Sequence, residues 1–225
     1  MLLLVTDTSG KHGSVALARA DSSPSNAVEI IEEVPLVGGT FSAQLVPQIA
    51  ALLAQHGFRK ADIDAFVVVS GPGSFTGLRV GLAAIKALAE ILRKPIVPVS
   101  LLEVVAIASR ATGRVLAVLD AGRGEIYAAE YEIADDSARL LREQMLAQAE
   151  LVSMAKDLVM ATPDATLAGM LPDRAIQVPL LGAQMIASLG WRKLQAGETV
   201  TPEQLEANYI RRSDAEIFAK PASSS

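Results

Sequence analysis

Two stretches of this 225-residue chain follow one plan, and that repetition limits the fold more than any other feature. Leu2–Asp7 is a short apolar run that ends in aspartate, passes through Thr-Ser-Gly and resumes as an alternating run at Ser14–Ala20. Val115–Asp120 is likewise apolar, ends in aspartate, passes through Ala-Gly-Arg-Gly and resumes at Glu125–Ile133. Short apolar runs bounded by glycine-containing turns read as β-strands. Two unrelated hairpins that look alike by chance are one explanation. The other is a duplicated βββαβα lobe with Asp7 and Asp120 facing each other across a cleft. It predicts an α/β fold of two lobes, residues 1–112 and a reduced second lobe over 113–225.

The first half supports the second explanation. Val28–Leu36 reads as a third strand. Ser42 is placed to cap a helix reaching about His56, with Leu45, Ile49, Leu52 and Leu53 at helical spacing. Pro47 within it is expected to kink the first turns or delay the regular start. Ala65–Ser70 is a strand so continuously apolar that burial on both faces is expected. Thr76–Arg93 reads as a helix closed by Lys94-Pro95, and Ile96–Ser100 with Leu101–Ala111 gives a further strand and helix. Past Ile133 the pattern weakens. Leu140–Met160 and Leu180–Gln195 read as helices, Asn208–Arg211 as a strand and Pro221–Ser225 as a frayed tail.

Composition narrows the function classes. Apolar residues make up 51% of the chain, and the mean hydropathy is +0.35. That is high for a soluble monomer and raises the expectation that apolar surface faces a partner. No membrane is expected to be involved, because Met1–Val5 and Phe66–Val69 are far too short to span one. No basic leader precedes Asp7, so no secretion signal is expected. The absence of cysteine fits a cytoplasmic protein and excludes thiolate catalysis. The two histidines, His12 and His56, cannot build a metal cluster and are a weak basis for a Ser-His-Asp peptidase. A net charge of −5 makes the chain a poor stand-alone ligand for a phosphate backbone.

Three features are candidates for function. The loop Ser70-Gly-Pro-Gly-Ser-Phe-Thr-Gly77 joins a buried strand to a helix, where Gly71, Gly73 and Ser74 would let backbone N–H groups meet an anion. It is neither a Walker A loop nor a dinucleotide fingerprint, since no Lys-Ser/Thr pair follows and Thr76 stands where a third glycine belongs. A tight structural turn and a phosphate cradle both remain open. Asp7 and Asp120 at strand ends could hold a magnesium–nucleotide complex, with Thr8 and Ser9 donating to phosphate. An Asx turn that merely ends the strand is the stronger reading for Asp120. Finally, the helix over Thr76–Arg93 confines Arg79, Lys86, Glu90 and Arg93 to one narrow stripe and is apolar or small elsewhere. Burial within its own chain is one account of this. The other is a subunit interface formed with the Ser42–His56 helix.

The segments LLLVTDTSGKHGSVAL, SGPGSFTGLRVGLAAIKALA, VPVSLLEVVA and VLAVLDAGRGEIYAAEY closely resemble the TsaB/YeaZ family, and EANYIRRSDAE resembles that family's closing strand. The resemblance implies the actin-like/Hsp70-like ATPase fold, two ribonuclease-H-like lobes. It implies a non-catalytic subunit beside a TsaD-like catalytic paralogue and a TsaE-like ATPase. Such a complex transfers threonylcarbamoyl to N6 of the adenosine 3′ of the tRNA anticodon, with metal and chemistry on the paralogue and tRNA met only through the complex. The subunit face it implies comprises Leu45, Ile49, Leu52 and Leu53 on one helix, and Phe75, Gly77, Leu78, Gly81, Leu82, Ala84, Ile85 and Leu88 on the other. Some relatives pair with themselves through it. Many relatives carry His-Ser where this chain has Phe41-Ser42, so metal binding is still less expected. No cofactor of its own is expected, with ATP or ADP and magnesium at the lobe cleft or subunit interface left open. An independent phosphotransferase or ATPase of the same fold, acting through Asp7, is the competing function.

Overall fold

The computed structural model describes residues 1–21, 27–134 and 137–210. The chain first lays down β1 (Leu2–Asp7), β2 (His12–Ala20), β3 (Val28–Val37), α1 (Phe41–Gln55), β4 (Ala65–Gly71), α2 (Phe75–Leu92), β5 (Ile96–Ser100) and α3 (Leu101–Ala108). It then makes β6 (Gly113–Gly122), β7 (Glu125–Ala134), β8 (Ser137–Ala147), α4 (Leu151–Met154), β9 (Val159–Thr162), α5 (Ala165–Gly169), β10 (Ala175–Gln177) and α6 (Ala183–Gln195). These strands form two five-stranded mixed sheets, ordered β3-β2-β1-β4-β5 and β8-β7-β6-β9-β10.

The two orders are the same order. In each sheet the first three strands are antiparallel neighbours, the fourth joins the first in parallel, and the fifth joins the fourth in parallel. The echo between the two hairpins is therefore a repeat of topology. The second copy is smaller: β9 and β10 have four and three residues against seven and five in β4 and β5. Its helices α4 and α5 have four and five residues, where α1 and α2 have 15 and 18.

The period-two alternation of the strands sorts the core into layers. Leu2 and Leu4 of β1 and Phe66 and Val68 of β4 face α1 and α2, while Leu3, Val5, Val67 and Val69 face α6. Every residue of β4 is buried, as its unbroken apolar run requires. In the second sheet, β6 and β7 turn Val115, Ala117, Tyr127 and Ala129 toward α3, and Leu116, Val118, Ile126 and Ala128 toward α4 and α5. Helices thus cross between the halves. α6, from the half after residue 112, covers the first sheet, and α3, from the half before it, covers the second.

Several expected elements differ. Leu140–Met160 is not one helix but most of β8, a 3-10 turn at Gln148–Glu150, α4 and the start of β9. Leu, Arg, Glu, Gln, Met and Ala all favour helix, yet β8 pairs along its length with β7, and that ladder overrides the propensity. Leu141 stands unpaired at a bulge, which spoils the alternation that would have betrayed the strand. α1 starts at Phe41 with Thr40 as its N-cap residue, not at a Ser42 cap, and runs through Pro47. Asn208 is not in a strand; it lies in an irregular segment whose N–H donates to Ser70 O at 2.7 Å. Arg211 and the tail Pro221–Ser225 lie outside the described residues.

Candidate functional site

The strand-end turns come first. Asp7 closes β1, and its Oδ1 accepts from the backbone N–H of Ser9 at 2.8 Å and from the Ser9 hydroxyl at 2.6 Å. Asp120, at the corresponding point of β6, accepts from Gly122 N–H at 2.8 Å and is exposed. Both are Asx turns, in which the side chain substitutes for a backbone acceptor. Burial pushes the Asp7 carboxyl above the ordinary aspartate value; the two Ser9 bonds pull it down, and the negative charge of Glu33 adds to the rise.

Close approach of this turn to α2 accounts for the glycines of the loop. A Cβ on Gly73 would lie 2.4 Å from Ser9 O, one on Gly77 2.1 Å from Thr8 O, and one on Gly81 2.2 Å from Thr8 Oγ1. Gly71, at φ +143°, would bring a Cβ to 2.7 Å from Asn208 O. Ser74 N–H donates to Ser9 O at 2.6 Å, and Ser74 Oγ caps α2 by accepting from Gly77 N–H at 3.3 Å. Thr8 and Ser9 are buried. The turn at Thr8–Ser9 packs directly on the start of α2, and one Asp7 oxygen, Oδ1, is engaged by Ser9 within it. Among the described residues no group of three or more His, Asp or Glu side chains is placed to hold a metal ion. Phe41 is buried with its ring over Gly13 and Gly77, so it acts as packing. His56 ends α1 with Nε2 2.6 Å from Glu32, and His12 is exposed.

A second cluster ties down the segment after residue 200. The Arg79 guanidinium carbon lies 3.6 Å from the Phe75 ring centroid, and Arg79 Nε donates to the Tyr209 hydroxyl at 3.1 Å. The Phe75 and Tyr209 rings are 4.8 Å apart. A cation over an aromatic face is a favourable contact even at the surface.

The paired helices α1 and α2 carry the third feature. Of the twelve residues expected at a subunit face, Leu45, Ile49, Leu52, Leu53, Gly77, Leu78, Gly81, Leu82 and Ile85 are buried in the chain's own structure. The first sheet claims the large aliphatic stripe of each helix, and the glycines one turn apart on α2 admit Thr8 rather than a partner helix. Phe75, Ala84 and Leu88 remain half-buried. The outward stripe is different and small: Ala43, Val46, Ala50, Ala51 and Ala54 on α1, with Ala83, Ala87 and Ile91 on α2, are all exposed. Val46 is 52% and Ile91 78% exposed. The surplus of alanine on α2 was visible in the sequence, whereas the expected face combined Ala84 and the glycines with the larger aliphatic residues.

Comparison with known proteins places the chain. The family model described as "TsaD: tRNA N6-adenosine threonylcarbamoyltransferase" matches residues 35–217. A Bacillus subtilis protein named tRNA threonylcarbamoyladenosine biosynthesis protein TsaB is 31% identical over 159 residues, 70% of this chain and 67% of that one. The Escherichia coli protein of the same name is 28% identical over 96% of both chains. Among solved structures, YeaZ from Pseudomonas aeruginosa superposes with a TM-score of 0.67 at 29% identity, covering 92% of this chain and 99% of that one. The chain belongs to the TsaB/YeaZ family. Among the described residues no helix is long and apolar enough to cross a membrane.

Proposed function

We propose that this chain is the non-catalytic scaffold subunit of the cytoplasmic machinery that makes threonylcarbamoyladenosine in tRNA. It docks on a TsaD-like catalytic paralogue, beside a TsaE-like ATPase, through the alanine-rich outer face of α1 and α2. The observation that carries the reading is that face: eight exposed apolar positions on two packed helices, in a chain of the TsaB/YeaZ family. Small side chains let another backbone approach closely, and such a face gains by burial what it loses in water. The repeated strand order fits the actin-like/Hsp70-like fold of two ribonuclease-H-like lobes, divided near residue 112. The same face would serve a homodimer in the absence of the paralogue. Any tRNA is then met through the complex, consistent with the net charge of −5.

The competing phosphotransferase would act through Asp7, whose Oδ1 is engaged by Ser9 in an Asx turn. The test is copurification of the chain with the TsaD-like paralogue and, in parallel, titration of the isolated chain with magnesium-ATP. Ala83→Glu is expected to abolish complex formation with an unchanged circular dichroism spectrum, and magnesium-ATP is expected to give no saturable heat. Retained complex with Ala83→Glu, or substrate-dependent ATP hydrolysis by the chain alone, would overturn the reading.

A further inference from the structure

A cavity of about 480 Å³ opens where the two halves meet, between α3, α6, β7 and β8. That size falls within the ~300–1,000 Å³ of small-molecule sites. Its floor is polar and incompletely satisfied. Glu143 of β8 accepts a hydrogen bond from Asn208 Nδ2 at 2.7 Å through Oε2, while its Oε1 is buried without a partner among the described residues. Ser100 Oγ, at the end of β5, is buried beside the Tyr131 hydroxyl. Tyr131 of β7 is 2% exposed, and burial raises its hydroxyl well above the usual phenol range, with the charges of Glu103 and Glu143 adding to the rise and Ser100 pulling against it. One carboxylate oxygen is therefore left without a partner among the described residues, with two hydroxyls lining the same cavity.

Three carboxylates, Glu103, Glu143 and Glu198, and two cations, Arg192 and Lys193, line the cavity, and both cations act on Glu103. Lys193 of α6 lies 3.1 Å from Glu103 and 3.0 Å from Glu198, so two carboxylates share its charge. Glu143 has only the neutral Asn208 to offset its burial, and its carboxyl is pushed upward as a result. A buried acceptor left unmade costs ~1–3 kcal/mol, and more when it is charged. A single ordered water could bond one oxygen but would neither neutralise the carboxylate nor fill the space. Ile107, Leu140 and Leu189 form apolar walls beside the polar floor.

We propose that this cavity binds a small aliphatic amine, its ammonium group donating to Glu143, Ser100 and Tyr131 and its chain lying along Ile107, Leu140 and Leu189. An alkylammonium supplies N–H donors and one positive charge to the Glu143 carboxylate, whose Oε1 has no partner among the described residues. Because the walls come from both halves of the chain, a bound amine would brace them against each other. The site is separate from the outer face of α1 and α2, so it stands or falls independently of the scaffold reading.

The test is calorimetric titration of the full chain with n-butylamine and with 1,4-diaminobutane, using n-butanol as the uncharged control. Saturable one-site binding of the amines is expected, with butanol weaker by about tenfold or more, the scale of a charge-assisted hydrogen bond. Glu143→Gln keeps the shape and the Asn208 contact and is expected to lower amine affinity by a similar factor. Nuclear Overhauser contacts from the amine methylenes to the Leu140 and Leu189 methyls of the native chain locate the ligand without relying on a variant. No saturable amine binding, equal binding of butanol, unchanged affinity in Glu143→Gln, or contacts elsewhere on the protein would each overturn the proposal.

Discussion

Gly81 shows how single atoms decide the strand-end cleft. A methyl group there would stand 2.2 Å from Thr8 Oγ1 and 3.3 Å from the Thr8 carbons, so only the hydroxyl is in true collision. Alanine is favoured over glycine inside a helix by ~1 kcal/mol, whereas overpacking a tight core costs ~1–3 kcal/mol. Gly81→Ala alone is therefore expected to lower the unfolding free energy. Set on a Thr8→Ala background, the same change should be neutral or stabilising, because the colliding atom is gone and the helix gain remains. Denaturant unfolding of the four-member cycle checks this; equal effects on both backgrounds would mean that α2 shifts to make room. Asp7 gives a second residue-scale prediction. Its carboxyl is raised above the ordinary aspartate value, mainly by burial. A raised acid stabilises the fold fully only below its unfolded pKa and loses that contribution as pH rises through the folded one. Asp7→Asn retains the turn acceptor without the charge. It is expected to be more stable than the native chain at pH 7 and to lose the advantage as pH falls toward 4, in unfolding curves taken across that range.

At the scale of elements, α2 is a helix with two apolar stripes of different character. Leu82 lies on the inner stripe at 5% exposure and Ala83, the next residue, on the outer one. Leu82→Ala should cost ~2–5 kcal/mol by leaving a cavity against the first sheet. Ala83→Glu should change stability by no more than about 0.5 kcal/mol while removing the paralogue from pull-downs. Val46→Glu on α1 is expected to behave like Ala83→Glu. This division also marks what the sequence could say. Strands β1 and β4 and helix α2 were legible because burial on both faces, or a narrow polar stripe, leaves a pattern in the residues themselves. The inner and outer stripes of α1 and α2 were not separable, because hydrophobic spacing names a buried side without naming what buries it. Likewise β8 is an edge strand written in helix-forming residues, and only its place in a duplicated topology identifies it. At the strand-end loop, the glycine pattern suited an anion and a close backbone approach equally. The close contacts that a Cβ at Gly73, Gly77 or Gly81 would make with Ser9 and Thr8 show that the close approach is present.

For the molecule as a whole, the repeat in the sequence suggests two lobes cut near residue 112, while packing crosses that cut in both directions. α6 presents Ile186, Leu189 and Trp191 to the first sheet, with Gly190 so close that a Cβ would lie 2.4 Å from Val67 Cγ1. Each large apolar side chain fully buried contributes ~1.5–3 kcal/mol. Those three therefore contribute roughly 5–9 kcal/mol, on the order of the ~5–15 kcal/mol that keeps an ordinary domain folded. A fragment of residues 1–112 would lose this helix and lay bare Val67, Val69, Val97 and Val99 on the sheet it covers. It would also present α3 without the second sheet against which Leu102, Val105 and Ala106 pack. The fragment is expected to be unfolded or aggregated, judged by poor amide dispersion in its nuclear magnetic resonance spectrum. The full chain should unfold in one transition by both tryptophan fluorescence, which reports Trp191 on the first sheet, and circular dichroism, which reports both sheets. A well-dispersed spectrum from residues 1–112 would mean that the first sheet can close its core without α6, and that the repeat still marks two units able to fold apart.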